Sequence, residues 1–289
     1  MVAIAELLDQ RWKVGAICAI GAVALGLAYL TLAGAPTRYM LVNAAALAIG
    51  FLLFGLASPL AQADNRTRAV VTLALALLLL LATLFGRSVE GATRWFQIGG
   101  LTIQPSLILL PLLAVNFARS HGPLATVGVG IAAVALAIQP DRAMAAALAA
   151  AMLALVFRQQ DRRPLVALAI SLAALAVTMA RPDTQGAVPF VDQIFYTAFL
   201  VGPLAGLAVV TGAVLLPLPG LLRQSGQAPG ASAAFAAVWA AIVIAALIGN
   251  YPTPLVGYGG SAIIGYVLTL AAFPRRADGD QLSNRRANA

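Results

Sequence analysis

The sequence lacks most of what a soluble enzyme works with. Charged residues make up 10% of its 289 positions, and it has one histidine, one cysteine and one lysine, Lys13. Average globular chains are about 25% charged. A lone cysteine excludes an internal disulfide, and Cys18 lies inside an apolar run, where it reads as an inert buried thiol. His121 sits in a short gap beside Ser120 and Gly122 and reads as solvated rather than catalytic. No second histidine and no cysteine cluster accompany it, so the sequence offers no metal site and names no cofactor. A Gly-rich phosphate loop, a Ser-His-Asp set and a CxxC pair are all missing. Nor is any stretch long and polar enough to form a separate soluble domain. The formal charge of +8 does not point to nucleic acid, because the basic residues fall in short gaps between apolar runs.

What the sequence has is apolar length. Hydrophobic residues make up 61% and the mean hydropathy is +0.92. Apolar runs occupy about 14–34, 40–60, 69–86, 104–118, 123–139, 142–157, 164–180, 193–217, 232–249 and 254–273. A bilayer span needs about 20 such residues. None of the runs shows the period-2 alternation of a barrel strand, so each is expected to be a helix. The first run follows Arg11 and Lys13 and resembles a signal peptide, but it is too long for a typical one and is read as a retained span. Alternate gaps carry 13 and 5 of the 18 basic residues. The richer side is cytoplasmic by the positive-inside rule. The expected fold is therefore all-α: a polytopic membrane helix bundle of about ten transmembrane helices, with both termini cytoplasmic. Residues 1–273 form one transmembrane domain. Residues 274–289 are a polar cytoplasmic tail, expected to be disordered, and 223–231 a flexible loop.

Four gaps on the outward side carry unusual residues: 87–103, 139–142, 181–192 and 249–261. In a compact bundle they emerge on one face and can share a pocket. Each has two readings. Arg94-Trp95 is an interfacial anchor with a snorkelling arginine, or a bidentate clamp on a phosphate. Asp141 after Pro140 reads as a helix start near the N-terminal dipole. Tyr258-Gly259-Gly260-Ser261 supplies small residues for close helix packing, or exposes backbone to a polar ligand. Asp192 before an apolar run is a helix cap, or a general base whose pKa is raised by an apolar surround.

The stretch Gly91-Ala92-Thr93-Arg94-Trp95-Phe96-Gln97-Ile98-Gly99, then Gln104-Pro105-Ser106, resembles a G-A-x-R-W-(I/L)-x-(L/I)-G … Q-P-S-E-x-x-K motif. Gln139-Pro140-Asp141 is similar to Q-P-D-x-G-T-A, and Pro254 to Ala262 to P-F-x-S-Y-G-G-S-S. Val191 to Phe195 resembles H-T-D-F-I-F. These motifs, in this order, belong to the SEDS family (FtsW/RodA/SpoVE, cell-division and cell-shape proteins), and the resemblance runs from about Gly91 to Phe273. The departures are specific. Leu107 and Leu110 stand at the Glu and Lys positions after Q-P-S, and Ala143-Met144 at Gly-Thr after Q-P-D. Leu200 and Val201 stand at a paired-glutamate position, and the large outer loop shrinks to 181–192. The chain thus looks like a divergent, shortened member.

The resemblance implies a peptidoglycan glycosyltransferase of the bacterial cytoplasmic membrane, which polymerises lipid II and releases undecaprenyl diphosphate in division or cell-shape maintenance. Asp192 would be the base and Arg94 the phosphate clamp, with Trp95, Gln104, Ser106, Tyr258 and Ser261 holding substrate. A class B penicillin-binding protein would be the partner. Two alternatives stay open: a catalytically degraded scaffold or regulator of the wall-synthesis complex, and a lipid transporter. Against the transporter, charges deep within the spans are nearly absent.

Overall fold

The computed structural model describes residues 10–89, 92–159, 161–182, 185–222 and 229–274. The expectations for most of the tail and for 223–228 lie outside the described residues.

The helices in chain order are α1 (Arg11–Leu32), α2 (Thr37–Leu56), α3 (Asn65–Phe85), α4 (Pro105–Arg119), α5 (Pro123–Ile138), α6 (Arg142–Val156), α7 (Arg162–Met179), α8 (Ile194–Val201), α9 (Pro203–Val214), the single turn α10 (Leu218–Leu221), α11 (Pro229–Ile248) and α12 (Gly260–Thr269). Among the described residues five of these, α1, α2, α3, α7 and α11, are long and apolar enough to cross a membrane, and five more are shorter apolar helices. The chain is a multi-pass membrane protein. Local chemistry sets many of the starts. Asp64, Asp141 and Asp161 cap α3, α6 and α7 by accepting from Thr67 N, Met144 N and Arg163 N. Proline opens α4, α5 and α9, where its missing N–H costs no helical hydrogen bond.

At the centre is α4. Every residue from Leu110 to Ala118 is buried, so it has no lipid-facing stripe. Helices α3, α11 and α12 pack against it; α5, α6 and α7 extend the bundle on one side, and α2 and α1 with α9 on the other. Glycine permits the closest approaches. A Cβ at Gly265 in α12 would lie 2.0 Å from the carbonyl oxygen of Leu107, and one at Gly50 in α2 would lie 3.1 Å from Val267 Cβ. One end of the bundle is tied by Arg119, which donates to the carbonyls of Ala61 (2.8 Å) and Ala272 (2.6 Å) and so satisfies chain ends that helices leave open. His121 pairs with Asp161 at 3.2 Å.

Three expectations change in detail. The fold is not helical throughout, because the gap 87–103 carries strands. They form a three-stranded antiparallel meander: β1 (Arg87–Val89), β2 (Ala92–Ile98) and β3 (Leu101–Ile103). Gln97 pairs with Thr102 and Ile98 with Leu101 across a two-residue turn, Gly99-Gly100, whose φ values of +55° and +79° meet the requirement of a type I′ hairpin. The run 193–217 is not one helix. It breaks at Gly202, because Pro203 disfavours helical geometry in the residue before it, and Gly202 takes φ 159° and ψ 161°, a conformation that favours glycine. The run 254–273 becomes helical only at Gly260. Residues 250–259 are an irregular segment instead, buried from Thr253 to Gly257, with Leu255 and Val256 closed off from solvent.

Gly265→Ala places a methyl group into the α4 backbone. It should destabilise the detergent-solubilised protein by about 1–3 kcal/mol or more. Gly259→Ala meets no atom within 4 Å and lies on extended backbone, so its thermal midpoint should stay close to wild type.

Candidate functional site

The meander, the loop 185–193 before α8 and the segment 250–261 meet at one end of the bundle and enclose a cavity of about 500 Å³. Its floor comes from α2 (Val42, Ala46, Ile49), α4 (Leu107, Ile108) and the start of α12. Arg94, Trp95, Gln104, Asp192, Tyr258 and Ser261 all line it. Ser106 does not, and reaches the wall only through Gln104. Three of the four outward gaps therefore share a pocket. The fourth, 139–142, lies behind its wall.

That fourth gap has more to do than start a helix. Asp141 is 1% exposed. Besides capping α6 it accepts from Gln104 Nε2 and Ser106 Oγ, both at 3.0 Å. The backbone N–H of Gln104 donates in turn to Ser261 Oγ at 2.9 Å. One buried carboxylate thus joins β3, α4, α6 and α12 behind the cavity. Arg94 is 4% exposed and donates to the Pro140 carbonyl, with its guanidinium carbon 5.8 Å from the Trp95 ring centre. A buried arginine with a carbonyl acceptor is not a snorkelling anchor, so that reading of Arg94 is set aside.

Asp192 is not the cap of α8 either. Gln193 holds that position, at φ +56° and with no side-chain cap. The Asp192 carboxylate turns back to accept from Val188 N at 2.8 Å, closing its own loop. It is 8% exposed, and burial pushes its pKa above the ordinary 3.8, with the Val188 N–H opposing. Among the described residues lining the cavity Asp192 is the one carboxylate and Arg94 the one cation. The loop is fastened to the segment opposite. Thr253 N donates to Val191 O (2.9 Å), Tyr258 N to Phe190 O (2.7 Å), and Gln193 Nε2 to Asn250 Oδ1 (2.7 Å). The Tyr258 ring stacks on Tyr39 with centroids 3.8 Å apart, and the Arg38 guanidinium carbon lies 5.2 Å from the Tyr39 ring centre.

Sequence reasoning missed three contributors. Asn43 and Asn250 were hidden in an apolar run and a loop, although a polar side chain inside a span is itself a signal. Thr253 lines the cavity, and among the described residues its buried hydroxyl has no hydrogen-bond partner, an open position for a ligand polar group.

Fold and site define a class: a multi-pass helical membrane protein with a preformed, largely apolar cavity at one end that presents a single acid and a single arginine. The sequence model of the FtsW/RodA/SpoVE family, described as cell cycle protein, matches residues 11–202. The chain belongs to the SEDS (FtsW/RodA/SpoVE) family. Among solved structures it resembles the rod shape determining protein RodA of Thermus thermophilus. A point mutant of RodA matches with a TM-score of 0.62 at 22% identity, covering 88% of this chain and 93% of that one. The wild-type protein matches with a TM-score of 0.56, also at 22% identity, covering 88% and 92%. A chain from a structure concerned with coordination of polymerization and crosslinking by a peptidoglycan synthase complex matches at 0.60 and 22%, covering 89% and 94%. These likenesses establish a RodA-like fold. No curated protein sequence matches.

Two outcomes follow from the two buried acids. Asp141→Ala strands the Gln104 amide, the Ser106 hydroxyl and the Met144 N–H, and should cost about 3 kcal/mol or more of stability in thermal unfolding. Asp192→Asn keeps an acceptor for Val188 N and removes a charge that burial disfavours. A carboxyl whose folded pKa is raised gives up stability as pH rises through that pKa. The asparagine variant should therefore unfold at a higher temperature than wild type at neutral pH, and the gain should shrink as pH falls towards 4.

Proposed function

We propose that the protein polymerises lipid II as a peptidoglycan glycosyltransferase in the bacterial cytoplasmic membrane. The observation that carries this reading is convergence. Residues from positions 94, 104, 192, 258 and 261 line one cavity, although nothing in the local sequence requires them to meet. The reaction needs a base for the attacking sugar hydroxyl, cationic help for the departing diphosphate, and an apolar wall beside the lipid. Asp192 is the base: its raised pKa strengthens a carboxylate that would otherwise be a weak acceptor at neutral pH. Arg94 takes the diphosphate, and Trp95, Gln104, Tyr258, Ser261 and, through Gln104, Ser106 hold the saccharide and headgroup. The bundle spans the membrane ten times, counting α8 and α9 as one broken span, with both termini cytoplasmic and the cavity facing outward. A class B penicillin-binding protein is its partner, as a peptidoglycan synthase complex contains one of the similar chains.

A second reading is favoured by particular side chains. Leu107 lies on the cavity floor and Leu110 is fully buried, where the family motif has glutamate and lysine, and Leu200 is 87% exposed in place of an acid. With so little polar chemistry, a scaffold or regulator that binds the lipid-linked substrate without polymerising it is the alternative. Purified protein, alone and with a candidate transpeptidase, is to be given lipid II. Glycan strands should form with wild type and vanish with Asp192→Asn while binding and folding persist. Polymerisation by Asp192→Asn at the wild-type rate removes the base assignment, and a wild type silent with every partner transfers the protein to the scaffold reading. A reporter that works only in the cytoplasm should be active when fused after Ala289.

A further inference from the structure

The cavity residues are held by a side chain that does not line the cavity. Asn43 lies in α2, two turns into a helix that is otherwise apolar from Met40 onward, and is completely buried. An unsatisfied amide there is expensive. Asn43 has both ends satisfied by the same short stretch of chain: Nδ2 donates to Gly257 O at 2.8 Å, and Oδ1 accepts from Gly259 N at 3.2 Å. The two bonds bracket Tyr258 and fix the direction of its backbone N–H. That N–H donates to Phe190 O at 2.7 Å. Two residues further on is Asp192, whose carboxylate closes the 188–192 turn onto Val188 N. Space is tight along this path, since a Cβ at Gly257 would lie 2.5 Å from Ile194 Cδ1 and 3.2 Å from Phe190 O. On the same face of α2, Ala46 meets Gly260.

We infer that Asn43 is a positioning residue: its amide sets the 257–259 backbone, and through Tyr258 N–H it sets where the Asp192 loop stands over the cavity. This rests on the reading of Asp192 as the reacting base. Asn43 touches no substrate. Its effect is to make the height of the Asp192 loop depend on α2, a helix in the first quarter of the chain. Phe190, Gln193 and Leu255 hold left-handed backbone, at φ +63°, +56° and +61°. Such conformations persist only where surrounding contacts over-determine them, and the Tyr258 N–H bond to Phe190 O, bracketed by the Asn43 clamp, is one of those contacts for Phe190.

Asn43→Leu keeps similar volume and suits a membrane helix, and Asn43→Asp keeps only the acceptor for Gly259 N. Full-length variants in nanodiscs are compared by hydrogen exchange and by lipid II kinetics. In Asn43→Leu, exchange should quicken at least about tenfold at 186–193 and 252–259 and stay unchanged in α4 and α11. The kcat should fall on the order of tenfold to a hundredfold, the scale of a small misplacement of a reacting group, with KM little altered. Asn43→Asp should fall between. Unchanged exchange in the two segments, acceleration spread evenly through the bundle, or a loss confined to KM overturns the inference. A wild type that makes no glycan removes the base assignment for Asp192, and the exchange comparison then still decides whether Asn43 holds the loop.

Discussion

Lipid offers a peptide group nothing to bond to, so backbone that leaves helical geometry inside such a protein must find its partners within the chain. The segment 250–259 lives under this constraint. It runs unwound into α12, buried from Thr253 to Gly257, and beyond two short bonds of its own it draws its partners from elsewhere: Val191 and Phe190 accept from Thr253 and Tyr258, and Asn43 serves Gly257 and Gly259. The same bonds close the cavity. Burying irregular backbone and building a pocket are here one act.

The polar wall and the apolar floor divide the work. Asp141 is buried as a hub for Gln104 and Ser106 and keeps Gln104 rigid at the wall. Asp192 and Arg94 are the charged groups presented inward, and the floor is aliphatic. A site of this kind distinguishes a ligand by one carboxyl group and one guanidinium on an apolar background.

Much of this was legible in the sequence. Apolar runs marked the helices, because nothing else in such a composition can bury its backbone. The motifs marked Arg94, Gln104, Asp192, Tyr258 and Ser261, which the fold assembles. What escaped notice was geometry that depends on distant partners. The unwinding before Gly260 needs Asn43, some 214 residues away along the chain, as its partner at Gly257. The hairpin in 87–103 was available from Gly99-Gly100, a type I′ signal that the membrane setting drew attention away from. The break at Gly202 was equally available from the proline after it. Asp141 was read for its place before a helix, and its second role appears only once β3 and α4 are brought beside it.

Helix α4 has a consequence for how the protein comes into being. Its 15 residues rise only about 22 Å, short of the roughly 30 Å of hydrocarbon. It is walled in on every side, and its last residue, Arg119, bonds to carbonyls at the ends of segments from both halves of the chain. Such a helix has no comfortable existence alone in lipid. It is the fourth helix to leave the ribosome, but its burial is complete only when α11 and α12, among the last to be made, have packed against it. The packing of the molecule's centre can therefore be completed only after the last helices have been made.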